Sequence, residues 1–199
     1  MRNFSNTKRI VIKIGTNLLS KDHSIDTDYI ASIAEQVSRI QKAGRKVLIV
    51  TSGAIGMGAG ELGIREKITS VRMRQACAAI GQPLLMREYR DAFRTHGIVT
   101  AQILLTREVL NNRKSYLNLK NSVETLLELG VVPIFNENDA VSTAEIGNAF
   151  GDNDRLSALI ASKIDADLLI LLTDIDALYT ANPKAVSYTH LTLPTIYSV

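Results

Sequence analysis

The sequence predicts an α/β fold on a mainly parallel sheet, and three observations carry that expectation. Short apolar runs (Arg9 to Ile14, Lys46 to Val50, Val131 to Phe135, Leu168 to Leu172) each end abruptly in polar residues or glycine. Segments with apolar residues at helical spacing lie between such runs. The strand-helix-strand order recurs at short spacing, as right-handed crossovers and parallel pairing require.

A chain of 199 residues can bury a full core, and one domain is the default at that length. Hydrophobic residues at 46% and charged residues at 22% suit an ordinary soluble globular protein. Lys and Arg are scattered, the net charge is only +3 and Trp is absent, so nothing favours a nucleic-acid surface. No apolar run approaches the roughly 18 residues of a membrane span, and Met1 to Lys8 lack a signal-peptide apolar segment. Cys77, the single cysteine, can form neither an intrachain disulfide nor a thiolate metal site, and reads as a small core residue. His23, His96 and His190 show no ligand spacing, so no zinc site is predicted. A reducing cytoplasm is the natural compartment for such a chain.

In chain order, Arg9 to Ile14 (RIVIKI) is a first strand and Gly15-Thr16-Asn17 its turn. Lys13 interrupts the apolar run. In a strand covered on both faces it would be costly unless it reached a polar site at the strand end, whereas on an edge strand it would face water. Asp26-Thr27-Asp28 caps a helix from Tyr29 to Ala43, with Ile30, Ile33, Ala34, Val37 and Ile40 at helical spacing and Gly44 as its stop. Lys46 to Val50 is the second strand, delivering Thr51-Ser52-Gly53. Ser52-Gly53 offers backbone N–H groups and a hydroxyl at a helix N-terminus.

Gly58, Gly60 and Gly63 formally match GxGxxG, but they begin eight residues after Val50 and no acid lies between Glu66 and Glu88. A dinucleotide fingerprint needs its glycines directly after the strand and an acid about 20 residues on, so that reading is rejected. Walker A and GxSxG patterns are absent, which also argues against Ser52 as a hydrolase nucleophile. Val71 to Thr95 is helical with a break or kink near Gly81-Gln82-Pro83. Ile98 to Leu105 is a strand, and Ser115 to Leu129 a helix with Leu119, Val123, Leu126 and Leu127 on its apolar side, closed by Gly130.

The most informative stretch follows. The strand Val131 to Phe135 delivers Asn136-Glu137-Asn138-Asp139, and a loop returns Asp152-Asn153-Asp154, which caps a helix marked by Leu156, Leu159, Ile160 and Lys163. Open parallel sheets bind ligands beyond the carboxyl ends of their strands. Carboxylates beside carboxamides there suit a substrate with a cationic amine and several hydrogen-bonding edges; the plainer alternative is a solvated acidic loop. Leu168 to Leu172 is a last strand, ending in Thr173-Asp174-Ile175-Asp176. Residues 185–199 contain no Asp, Glu, Lys or Arg and continue no earlier pattern, so they read as a non-native tail, with residues 1–184 as the domain.

Taken together, Lys13-Ile14-Gly15-Thr16-Asn17, Val50-Thr51-Ser52-Gly53-Ala54-Ile55, Gln102-Ile103-Leu104-Leu105-Thr106, Asn136-Glu137-Asn138-Asp139-Ala140-Val141, Gly151-Asp152-Asn153-Asp154 and Leu171-Leu172-Thr173-Asp174 resemble the amino acid kinase family, and within it the glutamate-phosphorylating branch. The likeness runs from about Arg9 to Lys184. The resemblance implies a three-layer αβα sandwich and phosphoryl transfer from ATP, with Mg²⁺, to the side-chain carboxylate of L-glutamate in proline biosynthesis. By resemblance, Lys13 contacts the ATP phosphates and Asp154 orients it, as the catalytic pair. Ser52, Asp139 and Asn153 hold glutamate. Gly15 and Gly53 contribute N–H groups near the phosphates, and Thr173 and Asp174 begin the nucleotide site. Feedback inhibition by proline and a homo-oligomer are also implied, and the helix Val71 to Thr95 could supply a subunit interface. No protein ligand for Mg²⁺ is assigned.

The chemistry agrees residue by residue. A glutamate side chain with an ordinary pKa near 4.3 is ionised at pH 7 and needs no general base. The remaining obstacle is repulsion between two anions, which cations and oriented N–H dipoles relieve. Family members continue past the position of Lys184 into a nucleotide lobe with an adenine pocket and a second catalytic lysine. The chain is therefore expected to bind glutamate but to turn over weakly or not at all. Two other readings remain open: a kinase of the same family acting on aspartate, N-acetylglutamate or a nucleoside monophosphate, and a non-catalytic amino-acid-sensing module.

Overall fold

The computed structural model describes residues 4–21, 24–141, 153–174, 178–179 and 190–191. His23, Asp152, Ile175, Asp176 and all of the 185–199 tail except His190 and Leu191 lie outside the described residues.

The elements run β1 (Arg9–Ile14), α1 (Thr16–Leu19), β2 (Ser20–Lys21), β3 (Ser24–Ile25), α2 (Thr27–Lys42), β4 (Lys46–Val50), α3 (Ala54–Glu61), α4 (Val71–Arg94) and β5 (Thr100–Leu105). They continue with α5 (Arg107–Asn111), α6 (Arg113–Glu128), β6 (Val132–Glu137), α7 (Asn153–Lys163), β7 (Leu168–Leu172), β8 (Leu178–Tyr179) and β9 (His190–Leu191). Five strands form one sheet in the order β5-β6-β4-β1-β7, and every neighbouring pair in it is parallel. β2 with β3, and β8 with β9, make small antiparallel pairs.

The period of two along the strands separates two cores. Ile10, Ile12 and Ile14 of β1, Val47 and Ile49 of β4, and Ile134 of β6 face one side. There they meet Ile33 and Val37 of α2 and Leu85, Tyr89 and Phe93 of α4. Val11, Leu48, Val50 and Phe135 face the other side, against Val123 and Leu127 of α6 and Leu156 and Ile160 of α7. The result is the αβα three-layer sandwich. Helices on both faces explain why the strands read as continuous apolar runs.

Local signals work as their chemistry dictates. The Asp26 carboxylate accepts from the Tyr29 N–H at 2.9 Å at the start of α2, and the Asn112 side chain accepts from Ser115 N–H at 3.0 Å in the first turn of α6. Gly44 and Gly130 take positive φ after α2 and α6. In both cases the next residue donates back into the last turn, Arg45 to Ile40 and Val131 to Leu126.

Several elements differ from the sequence reading. α5 is an unforeseen short helix, and β5 begins at Thr100 rather than Ile98, because Ile98 N–H still closes onto Phe93 at the end of α4. β6 continues through Asn136 and Glu137, which pair in register with Leu104 and Leu105 of β5. α4 runs unbroken through Pro83. Pro83 and Ala79, whose carbonyl loses its helix donor, are both exposed, so that carbonyl can turn to water.

The glycine-rich segment has a structural task. A Cβ on Gly58 would stand 1.9 Å from the Cys77 carbonyl oxygen, and one on Gly81 would stand 1.8 Å from that of Ala54. These glycines let α3 and α4 cross backbone against backbone, over the buried Cys77.

Candidate active site

The sheet's parallel sense brings the carboxyl ends of β1, β4, β6 and β7 to one rim. Lys13 follows Val11 on β1 by two residues and so faces the α7 layer, not the α2–α4 layer. It is 3% exposed, and its Nζ meets Asp154 Oδ1 at 2.7 Å. β1 is a central strand, so the edge-strand alternative for Lys13 is excluded. Asp154 stands in the first turn of α7, where the helix dipole favours a carboxylate.

Beside this pair, the amide nitrogen of Asn153 donates to Ser52 Oγ at 2.9 Å, to Asn136 Oδ1 at 3.0 Å and to the Thr51 carbonyl. With Nδ2 committed to acceptors, the end of Asn153 left for a ligand is Oδ1. Ser52 Oγ, already an acceptor, keeps its own proton to donate. Thr51 is propped by the buried Tyr89, whose hydroxyl lies 2.8 Å from Thr51 Oγ1. Burial pushes the Tyr89 phenol well above its ordinary pKa, so it stays neutral.

Ser52, Gly53, Asp139 and Asn153 line one cleft of about 560 Å³, together with Thr16, Arg74, Asn136 and Glu137. Gly53 caps α3 with φ 99°, a left-handed conformation suited to glycine. Ala54, Ile55 and Gly56, which follow it in the first turn of α3, also line the cleft. Their N–H groups precede any intrahelical partner and favour an anion. The Asp139 carboxyl is pushed up to about 6, first by burial and then by the Glu137 charge, with Arg74 pulling the other way.

Gly15, Thr173 and Asp174 sit toward β7, on the other side of β1. Gly15 N–H donates to the Leu172 carbonyl at 3.1 Å, so it is committed to the sheet and not offered to a phosphate as the sequence reading expected. The position still needs a small residue, because a Cβ there would come within 3.3 Å of Leu172 O and 3.7 Å of Lys13 Nζ. Asp174 accepts from the Asn17 side chain at 2.9 Å, and both Thr173 and Asp174 are exposed. The three substrate residues named from sequence thus share one cleft, the catalytic pair stands next to it, and the two nucleotide residues form a separate group.

A model of the amino acid kinase family matches residues 8–197. The chain belongs to the amino acid kinase family. Among similar proteins, the glutamate 5-kinase of Methanosarcina barkeri is 56% identical over 184 residues, covering 88% of this chain and 48% of the relative. That of Methanosarcina mazei is 54% identical over 189 residues, covering 91% and 49%. That of Thermus thermophilus is 45% identical over 184 residues, covering 92% and 49%. The chain spans about half the length of the curated relatives it matches. Among the described residues no helix is long and apolar enough to cross a membrane.

Sequence reasoning missed several parts of the rim. Gln82, Gln102, Arg74 and Tyr89 were given no role in the site. Gln82 carried a signal: with Ala78, Leu85 and Tyr89 it falls on the apolar stripe of α4, where an amide needs a partner.

Proposed function

We propose that this segment forms the acceptor half of an ATP-dependent kinase that phosphorylates the side-chain carboxylate of L-glutamate, giving L-glutamyl 5-phosphate for proline biosynthesis. The observation that carries the reading is the cleft formed by Ser52, Asp139 and Asn153 beside the ion pair of buried Lys13 with half-exposed Asp154. The names of the relatives support the same substrate.

An α-amino acid presents an ammonium and a carboxylate. Asp139 and the Asn153 Oδ1 are acceptors for the first. The Ser52 hydroxyl, Arg74 and the open N–H groups of α3 suit anionic groups. A nucleoside monophosphate would instead need cations where Asp139 and Asn153 stand. The acceptor carboxylate oxygen forms a bond to the γ-phosphorus of ATP while the bond to the bridging oxygen breaks, and ADP leaves with the electron pair. Lys13, held by Asp154, supplies fixed positive charge against the phosphoryl oxygens. Gly15 brings no side chain against Lys13 Nζ, which a Cβ there would approach to 3.7 Å, so the ammonium is not crowded on that side. Thr173 and Asp174 begin the nucleotide side. Magnesium bound with ATP would neutralise phosphate charge, and no residue of this chain is assigned to it. Proline carries the same ammonium and carboxylate, which gives a physical reason for feedback competition at this cleft.

Calorimetric titration of the chain with L-glutamate, against L-aspartate and N-acetylglutamate, tests the reading. Saturable binding selective for L-glutamate is expected. N-acetylglutamate lacks the ammonium that Asp139 would hold, and binding it equally well would overturn the assignment.

A further inference from the structure

Behind the cleft, four carboxamides form a chain that crosses three layers of the fold. Gln102 of β5 accepts from Gln82 of α4 at 3.2 Å. Gln82 Oε1 accepts from Asn136 Nδ2 of β6 at 2.9 Å. Asn136 Oδ1 accepts from Asn153 Nδ2 of α7 at 3.0 Å. Asn136 is 2% and Gln82 8% exposed, so the inner links exchange little with water and a broken link costs the desolvation of its partner.

Two backbone groups set the sense of the chain. The Glu137 N–H can only donate, and it reaches Asn136 Oδ1 at 2.9 Å. The Thr51 carbonyl can only accept, and it takes Asn153 Nδ2. Asn136 must therefore turn its NH₂ to Gln82 and its oxygen to Asn153, and Asn153 must leave its own oxygen for the ligand. Gln82 is the member that supplies the matching acceptor for Asn136 from the opposite helical layer. A flipped Gln82 would oppose two NH₂ groups.

From this we infer that Gln82 is a positioning residue, which holds the Asn136 carboxamide in the sense the Glu137 N–H sets and so steadies, through Asn136, the Asn153 acceptor edge that meets the substrate ammonium. The inference rests on the proposed function for the identity of the ligand, but not for the relay. Gln82 touches no reacting atom.

The test joins side-chain amide nuclear magnetic resonance to calorimetry on the same chain. In Gln82→Leu, the Asn136 and Asn153 NH₂ resonances are expected to shift, and Kd for L-glutamate to rise about tenfold, the scale of one buried hydrogen bond. In an Asn153→Ala background the same substitution should change Kd less than about twofold, because coupled residues are not additive. Gln82→Glu keeps the acceptor, so Asn153 should stay in place while the Gln102 amide turns to donate; this variant decides the matter if Gln82→Leu does not fold. Asn153 resonances unmoved by Gln82→Leu, or moved as far by Gln82→Glu as those of Gln102, would overturn the relay. So would additive effects of the two substitutions on Kd. A wild-type chain that ignores L-glutamate would sink the proposed function instead, and the Asn153 resonances would still judge Gln82.

Discussion

Lys13 Nζ stands 2.7 Å from Asp154 Oδ1, which ties the end of a central strand to the first turn of α7. The lysine side chain is 4% exposed and that of the aspartate 47%, so the aspartate bridges a buried cation to the open rim. The position of the cation is thus set before any ligand arrives, the preorganisation that electrostatic catalysis requires. In a chain extended to the length of its relatives, Lys13→Ala is expected to lower kcat by about 10²-fold or more, since it removes charge at the transferring group. Affinity for L-glutamate, measured by calorimetry, should change by less than about threefold. Unchanged turnover would remove Lys13 from the catalytic machinery.

Asp139 reverses the usual carboxylate behaviour. Its pKa is raised to about 6, by burial first and the Glu137 charge second. The native state therefore keeps a proton that the unfolded chain has lost between the ordinary value of 3.8 and about 6. The group's cost to stability is absent below that window and complete above it. Binding an ammonium favours the ionised form, so affinity for L-glutamate should fall as pH drops below about 6, by up to about tenfold per unit. Asp139→Asn should bind weakly and flatten this profile. An unchanged profile in the variant would assign the titration to another group.

Much of this was legible in the sequence because the signals are local. Strand ends, the Asp26 cap and the Gly44 and Gly130 stops each follow from a few neighbouring residues. The facing of Lys13 was not legible, because it depends on β1 being central, and sheet order is a property of the whole chain. Asp139, Asn153 and Ser52 were named through their motifs, but Gln82 and Tyr89 support Asn136 and Thr51 beside them from another layer and show only as polar groups on an apolar helix stripe. The commitment of Gly15 N–H to Leu172 needed the β1–β7 pairing, which sequence spacing does not reveal. The GxGxxG match was rejected on spacing, and the helix-crossing role of its first glycine, Gly58, needed the contact with Cys77.

That contact makes a paired prediction about glycines. Gly58→Ala and Gly81→Ala each force a methyl group into backbone closer than 2 Å, so α3 must lift from α4. Each is expected to cost on the order of 2–4 kcal/mol, as severe overpacking does. Gly56→Ala lies in the same helix with nothing within 4 Å of the new Cβ, and should gain up to about 1 kcal/mol from helix propensity. Urea unfolding of the three variants checks the contrast. Equal stabilities would mean that α3 and α4 do not cross this closely.

At the opposite end of the sheet, one carboxylate clamps the entry of the central strand. Asp167 Oδ2 accepts from the backbone N–H groups of Lys8 and Arg9, both at 2.7 Å. The Arg9 and then the Lys8 hydrogen bond hold its pKa below the ordinary value. A lowered carboxyl pKa contributes stability that is present above the unfolded value and is lost as pH falls through the folded one. The carboxylate is exposed and screened by solvent, so Asp167→Ala should lower Tm at pH 7 by a few degrees at most, a loss of about 1 kcal/mol or less. The difference from wild type should shrink as pH falls below about 4, near the ordinary aspartate value. Asp167→Asn keeps one oxygen acceptor and should recover part of the loss. A deficit that stays constant down to pH 2 would show that packing, not the charged hydrogen bonds, secures the start of β1.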